Sequence, residues 1–307
     1  MKKITLIGFL ICSLTLLFGC GSIPETPDAV TLYTDAGIAP DSWVKIPAGS
    51  FFKGQFNHLT EINYEYEIMA TEVTNTQYAQ YLGEARAAGM INIRNGKVMG
   101  DYPGDKYNGG KHEEKIDAGE YLHMDLKEPA CRISVDGERF SVKPGYENHP
   151  VTMVTWFGAK AYSDFYGYRL PTDDEWEKAA RGTFDRPYPW GEGVSEGKFN
   201  YQNSGDPFET ESGYSDTTPV GFYNGQKYGD FETFDAKSPY GAYDLAGNVG
   251  EWTVNIYYQA HYRNIRGGSK ATGAVDARVW KTDCAQPEWA SPSIGFRCVR
   301  VRGVVEN

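Results

Sequence analysis

A chain of 307 residues, 40% of them hydrophobic, is long enough to bury a sizeable core as one large or two ordinary domains. Aromatics at 14%, with 22 Tyr, 35 Gly and 16 Pro, argue against a helical bundle and predict short elements joined by long connections, because turns use Gly and Pro while large rings supply burial. The formal charge of −11 comes with no Lys/Arg cluster, which excludes an electrostatic footprint for nucleic acid and suits solubility or cation binding.

The chain begins MKKITLIGFLICSLTLLFGCGS, with Lys2 and Lys3 ahead of an apolar run too short for a comfortable membrane span. Residues 1–19 read as a lipoprotein signal peptide, cleaved before Cys20, whose thiol takes the lipid. An ordinary secretory peptide is the competing reading. Gly21 stands where an Asp would mark inner-membrane retention, so a lipid-anchored place in the cell envelope, at the outer membrane, is expected. Residues 20–42 carry Pro, Asp, Thr and Gly with little apolar surface to offset chain entropy, and read as an extended lipidated tether.

The folded domain is expected over 43–303. WVKIPAGSFFKG, residues 43–54, alternates around Pro-Ala-Gly and reads as a hairpin or paired strands. A strand-to-helix passage follows: Thr74 and Gln77 have capping-box spacing, Tyr78, Tyr81 and Leu82 give one apolar face, and Gly89 is a stop. Residues 90–148 read as an insertion on one domain, with an Asp-Gly hairpin inside CRISVDGERFSVKPGYE. In the second passage Val151, Met153 and Trp156 lead in, Ala159, Tyr162 and Phe165 share a helical face, and Gly167 ends it. Thr172 and Glu175 then form another capping box, with Asp173 and Asp174 in the first turn, and that helix should end at Gly182.

Histidines give no metal site by spacing: His58, His112, His123, His149 and His261 are scattered, with no pattern placing two imidazoles on one face. Cys131, Cys284 and Cys298 remain once Cys12 leaves with the signal and Cys20 is lipidated, an odd number for an oxidising compartment.

The blocks IPAGSFFKG, ATEVTNTQYAQYL, HPVTMVTWFGAKAY, YRLPTDDEWEKAARG, YPWG, SPYGAYDLAGNVGEW, IRGGS and GFRC occur in this order. Together they resemble the formylglycine-generating enzyme (sulfatase-modifying factor) family over roughly residues 43–302. The resemblance implies an α+β, C-type-lectin-like fold, loop-rich, with two main helices and small antiparallel sheets. Catalytic members carry, after the Gly-Gly-Ser, two cysteines that bind copper and oxidise a substrate cysteine with oxygen, chemistry that needs soft thiolates. Those two positions fall on Thr272 and Ala277, and a Trp lining the family's site is Gly250. Ser269 remains and reads as a turn residue, with no Ser-His-Asp arrangement around it. Copper is therefore not expected.

The resemblance also implies calcium, a hard cation served by carboxylate and carbonyl oxygens. One loop would use Asp244, Gly247, Val249 and Glu251; a second site would use Asn200 and the Tyr201 carbonyl, with its further positions at Ser212 and Tyr214 and with Asp216 or Glu211 as substitutes. Family members often bridge the cysteine of GFRC to a helix position that is Ser163 here, so Cys298 either pairs differently or stays free; Cys284 with Cys298 is the first expected disulfide, Cys131 with either is the alternative, and sequence does not set the connectivity. His149, in the family's His-Pro block, reads as a structural hydrogen-bonder.

Three functions follow from this reading. The first is a membrane-anchored envelope lipoprotein whose domain no longer works as a copper oxidase and binds an envelope protein, a peptide or a glycan, with Trp280 and Trp289 as candidate contacts. The alternative is an oxidoreductase of the formylglycine-generating type, acting in sulfatase maturation with relocated ligands such as Cys284 and Cys298. A lectin-like display protein comes third, since KATGAVDARVWKTDCAQPEWASPS is not clearly biased toward Asn, Ser, Tyr and Asp.

Overall fold

A computed structural model describes residues 35–105, 116–209, 215–257 and 261–301. The signal peptide, Cys20, most of the tether, His112, Glu211, Ser212 and Tyr214 lie outside the described residues. No helix among the described residues is long and apolar enough to cross a membrane.

Regular structure starts at the Trp43–Ile46 strand, which pairs antiparallel with Tyr66–Met69; that strand pairs on its other side with Val299–Arg300. The beginning and end of the domain thus share a three-stranded sheet. The Gly49–Lys53 strand pairs instead with His58–Ile62, so the two runs around Pro-Ala-Gly are strands but not partners of each other. Each half of that motif is completed by residues further along the chain.

Three helices carry the core, at the three places where caps and periodicity put them and one more than the two main helices that the resemblance implied. Helix α1 (Asn75–Ala87) is capped by Thr74: its hydroxyl accepts the Gln77 N–H at 3.2 Å while the Gln77 side chain accepts the Thr74 N–H at 2.9 Å. Helix α2 (Trp156–Phe165) is capped by Thr155, which accepts from the Gly158 N–H at 3.1 Å. Helix α3 (Asp173–Arg181) repeats the reciprocal box through Thr172 and Glu175 and ends at Gly182. Each cap satisfies a donor that the first helical turn leaves open. The inner faces of α1 and α2 meet through Tyr78, Tyr81, Tyr162 and Phe165, whose ring centroids lie 5.3 to 5.8 Å apart. Gly158 permits the approach: a Cβ there would stand 2.7 Å from both the His123 carbonyl oxygen and the Tyr78 hydroxyl.

The insertion forms a three-stranded antiparallel sheet of Ile91–Arg94, Lys97–Tyr102 and Gly119–Asp125, and the Ile133–Asp136/Arg139–Val142 hairpin anticipated at Asp-Gly. It is no mere surface addition: Ile91, Val98, Met124 and Ile133 are buried in one cluster with Tyr78, Trp156 and Phe296. A four-stranded sheet, ordered Thr282–Ala285, Arg263–Arg266, Gly250–Ile256 and Ile294–Gly295, carries the last of these parallel to its neighbour and the others antiparallel. That sheet and the turn after Arg266 position the candidate site. The whole is the α+β, loop-rich fold that the resemblance implied.

Candidate functional site

The Arg263–Arg266 strand runs into Gly267 and Gly268, both at positive φ. A Cβ on Gly268 would stand 2.9 Å from the Ala277 backbone nitrogen, so two constraints select glycine there. Arg266 pins the turn from below, donating to Glu177 at 2.8 Å, to the Val279 carbonyl at 2.7 Å and to the Thr282 hydroxyl at 2.6 Å. Above it opens a cavity of about 530 Å³. Gly250, Ser269, Thr272, Asp276, Asp283 and Ser293 are among the residues that line it.

The two positions where the resemblance calls for thiolates part company here. Thr272 lines the cavity, but its hydroxyl closes the turn, accepting the Ser269 N–H at 2.8 Å and donating to the Ser269 carbonyl at 3.1 Å. Ala277 is fully buried behind the wall, packed with Tyr188, Phe199 and Ala246. Ser269 is the turn residue expected, its Oγ accepting the Ala271 N–H at 3.2 Å. Gly250 leaves the cavity open, and a Cβ there would approach the Ile265 Cγ2 to 2.7 Å.

Relocated sulfur does not fill the gap. The expected Cys284–Cys298 disulfide is not formed, and Cys131 is free as well. Cys298 is fully buried in the main core with its Sγ 3.3 Å from the Ser163 hydroxyl, so the family's bridging position holds a hydrogen bond instead. Burial pushes the Cys298 thiol up to about 12, and burial with the nearby Asp283 raises that of Cys284. Neither is a ready thiolate near neutrality.

The residues expected to hold calcium fall in two linked places. Gly247 N–H donates to the Gly267 carbonyl and Asn248 N–H to the Asn200 carbonyl, both at 2.9 Å, so the Asp244–Glu251 loop joins the glycine turn to the Asn200 segment. Glu251 is fully buried and committed: Arg297 grips both its oxygens at 2.8 Å and the Trp176 indole N–H donates to it at 2.8 Å. Asp244 accepts the Gly221 N–H at 2.5 Å and interacts with Glu72, a residue the sequence did not single out. Glu72 Oε1 accepts from the Asn248 amide at 3.1 Å, while Oε2 is buried with no hydrogen-bond partner. Two carboxylates cannot hydrogen-bond unless one holds a proton, so Glu72 and Asp244 share one. Burial accordingly raises Asp244 to about 6, against ordinary carboxyl behaviour, and raises Glu72 strongly.

Three buried carboxyls therefore face one guanidinium. That donor set, hard oxygens with an excess of negative charge and an orphaned buried oxygen, fits a divalent cation at Asp244, with Glu72 the nearer second carboxyl and Glu251 held by Arg297.

The Asn200 site does not fit. Its carboxamide is used up, Oδ1 accepting from the Ser215 hydroxyl at 2.8 Å and Nδ2 donating to the Asp216 carbonyl at 2.7 Å. The Tyr201 carbonyl accepts the Ser204 N–H. Lys270 already supplies the positive charge: its ammonium donates to the Ser215 carbonyl at 2.7 Å and interacts with Asp216 and Asp206, and burial lowers its pKa. Asp216, one of the substitutes, is bridged to Arg132 at 3.1 Å.

Histidine acts structurally where it is buried: His149 Nδ1 meets the Thr217 hydroxyl at 2.8 Å, and burial lowers both it and His123 to about 4. Among the described residues no group of three His, Cys, Asp or Glu side chains is arranged to hold a metal ion, which leaves any ion at Asp244 dependent on carbonyl oxygens. Glu72, Arg297 and Lys270 are the site residues that sequence reasoning missed. Arg297 and Glu72 lay inside quoted blocks, GFRC and ATEVTNTQYAQYL, and Lys270 directly follows IRGGS, but no spacing marked any of them as a site residue.

The model of the sulfatase-modifying factor enzyme 1-like domain matches residues 31–302. Bovine (Bos taurus) inactive C-alpha-formylglycine-generating enzyme 2 is 37% identical over 164 residues, 50% of this chain and 51% of that protein. Formylglycine-generating enzyme of Thermomonospora curvata is 31% identical over 185 residues, 49% of this chain and 55% of that protein. The serine/threonine-protein kinase pkn1 of Chlamydia caviae is 32% identical over 188 residues, 55% of this chain but 27% of that protein, so the match spans between about a quarter and about half of these relatives. Among solved structures, CarF aligns with a TM-score of 0.54 at 21% identity, covering 87% of this chain and all of that one. PvdO from Pseudomonas aeruginosa aligns at 0.53 and 19%, covering 84% and 94%. The fold, the glycine turn and the matched family model agree: the chain belongs to the sulfatase-modifying factor (formylglycine-generating enzyme) family.

Proposed function

We propose that this member of the family is a non-catalytic binding module of the cell envelope, held at the outer membrane by lipid on Cys20, and that its glycine-turn cavity receives a peptide or glycan of a partner without covalent chemistry. The observation that carries the reading is Thr272: the side chain at the position of a reactive thiol closes a turn with its hydroxyl, and the other position, Ala277, lies behind the wall. Lys281, Asp276 and Asp283 supply charge of both signs around the hydroxyls of Ser269 and Ser293, a lining that orients a polar ligand rather than activating oxygen. The name "inactive" borne by the bovine relative is in keeping with a role for the family's domain that does not depend on turnover.

In this reading calcium, when bound at Asp244 with the Gly247 and Val249 carbonyls beside Glu251, supplies charge balance and stiffens the loop behind the cavity, and takes no part in chemistry. The test is a copper and oxygen assay on the purified protein with a cysteine-containing sulfatase peptide. Neither stoichiometric copper nor oxygen uptake is expected, and turnover of the peptide would overturn the proposal. Acyl labelling that disappears in Cys20→Ser tests the anchor; a labelled variant refutes it.

A further inference from the structure

A second cavity, of about 200 Å³, lies where Trp43, α1 and the end of α2 meet. Three aromatic contacts build its wall. Trp43 and Tyr168 stand edge to face with centroids 4.8 Å apart, Tyr162 and Tyr166 are 5.1 Å apart, and Tyr166 and Tyr168 are 6.1 Å apart. The rings are held from outside the cavity: the Tyr166 hydroxyl donates to Glu84 at 2.9 Å, and Trp43 is fixed by its strand register opposite Met69. Trp43 already receives one cation, since the Arg300 guanidinium lies 4.2 Å from its ring centroid and is itself anchored to Glu67 at 2.7 Å. Asp41 completes the edge. It is exposed, has no ion-pair partner among the described residues, and sits in a turn tied to α1 by the Gln77 amide, which donates to the Pro40 carbonyl at 3.1 Å.

Aromatic faces carry negative charge density, and a carboxylate beside them adds to the same field, a lining suited to a cation. Its wall selects among cations. A metal ion or a primary ammonium keeps its water unless several oxygens replace it, whereas a quaternary ammonium is weakly hydrated and presents methyl groups that pack on rings. We propose that Asp41, Trp43, Tyr162, Tyr166 and Tyr168 form a binding site for a quaternary alkylammonium group of the choline type, either free in solution or as a lipid headgroup. The proposal does not depend on the function assigned to the glycine-turn cavity.

The experiment uses the full chain carrying Cys20→Ser, so that no acyl group brings it to a bilayer. Ligand-observed NMR with choline is expected to show saturation transfer to the methyl protons, and none with dimethylbutanol, the uncharged carbon isostere. Asp41→Asn, an exposed change, should leave the melting temperature unaltered and weaken choline binding by about tenfold. Trp43→Leu should abolish binding, with thermal melting as the check on folding. Equal response to choline and the isostere, or unchanged affinity in Asp41→Asn, overturns the proposal. Cosedimentation with phosphatidylcholine vesicles, reversed by free choline and absent with phosphatidylglycerol vesicles, assigns the headgroup as source; choline binding without cosedimentation assigns the free cation.

Discussion

Replacing Asp244 by Asn removes one negative charge from the buried cluster while keeping its shape. The amide oxygen can still accept the Gly221 N–H, and the amide nitrogen can donate to Glu72, the role that the shared proton serves in the wild type. Asp244 is raised from 3.8 to about 6, with burial the principal cause. A carboxyl that binds its proton more tightly when folded contributes its full stabilisation below the unfolded value; stability then falls as pH rises through the folded value and is lowest above it. Two pKa units correspond to about 3 kcal/mol, so near neutral pH, in chelator, Asp244→Asn should be more stable than the wild type by about 2 to 3 kcal/mol. The difference should vanish as pH falls below about 4. The measurement is denaturant unfolding of both proteins across that range. Their difference isolates this cluster, because other titrating groups, such as the Arg169-paired Glu175, are common to both. A variant less stable than wild type at neutral pH, or a difference that does not change with pH, refutes the shared-proton account. Calcium added to the wild type should narrow the gap, since an ion bound only by the folded state offsets the same charge.

Lys270→Met removes the ammonium beside Ser215 and Asp216 and keeps the stem; a loss of about 1 to 3 kcal/mol is expected in thermal melts, and no loss would show that the charge is not required there. Thr272→Ala should cost about 1 kcal/mol by opening the Ser269 turn, and Thr272→Cys alone should bind no stoichiometric copper, because Ala277 offers no second thiolate; copper uptake by spectroscopy contradicts this. Gly158→Ala should cost about 1 to 3 kcal/mol or more, since backbone of the insertion and a tyrosine hydroxyl stand 2.7 Å from the new carbon; a neutral effect on the unfolding midpoint argues against the packing described.

What the sequence disclosed was local. The reciprocal caps of α1 and α3 were readable because Thr74 with Gln77, and Thr172 with Glu175, lie three residues apart and satisfy each other. The cap of α2 escaped because Gly158 stands at the third helical position, where no side chain reaches back to Thr155. Strand existence was legible around Pro-Ala-Gly but partner choice was not, since Trp43–Ile46 finds its neighbours twenty residues on and Gly49–Lys53 turns to another strand. In the glycine-turn site, Thr272 and Gly250 stood out because motif blocks fixed their places. Glu72, Asp244 and Arg297 come from three distant segments, and no spacing announces a charge cluster assembled by folding. The disulfide expectation failed for a related reason: parity counts cysteines but says nothing of depth, and Cys298 sits in the core with Ser163.

The sheet shared by the first and last strands has a kinetic meaning. Met69 N–H bonds to the Cys298 carbonyl and Val73 N–H to the Phe296 carbonyl, each closing a loop of more than two hundred residues. Trp43–Ile46 and Tyr66–Met69 can pair early, yet the other edge of Tyr66–Met69 stays open until the segment at Val299–Arg300 is available. Arg297 arrives with that stretch, so the counter-charge for Glu72, Asp244 and Glu251 is among the last groups supplied. A polypeptide that emerges from its N-terminal end therefore carries this carboxyl cluster without its guanidinium until Arg297 is available.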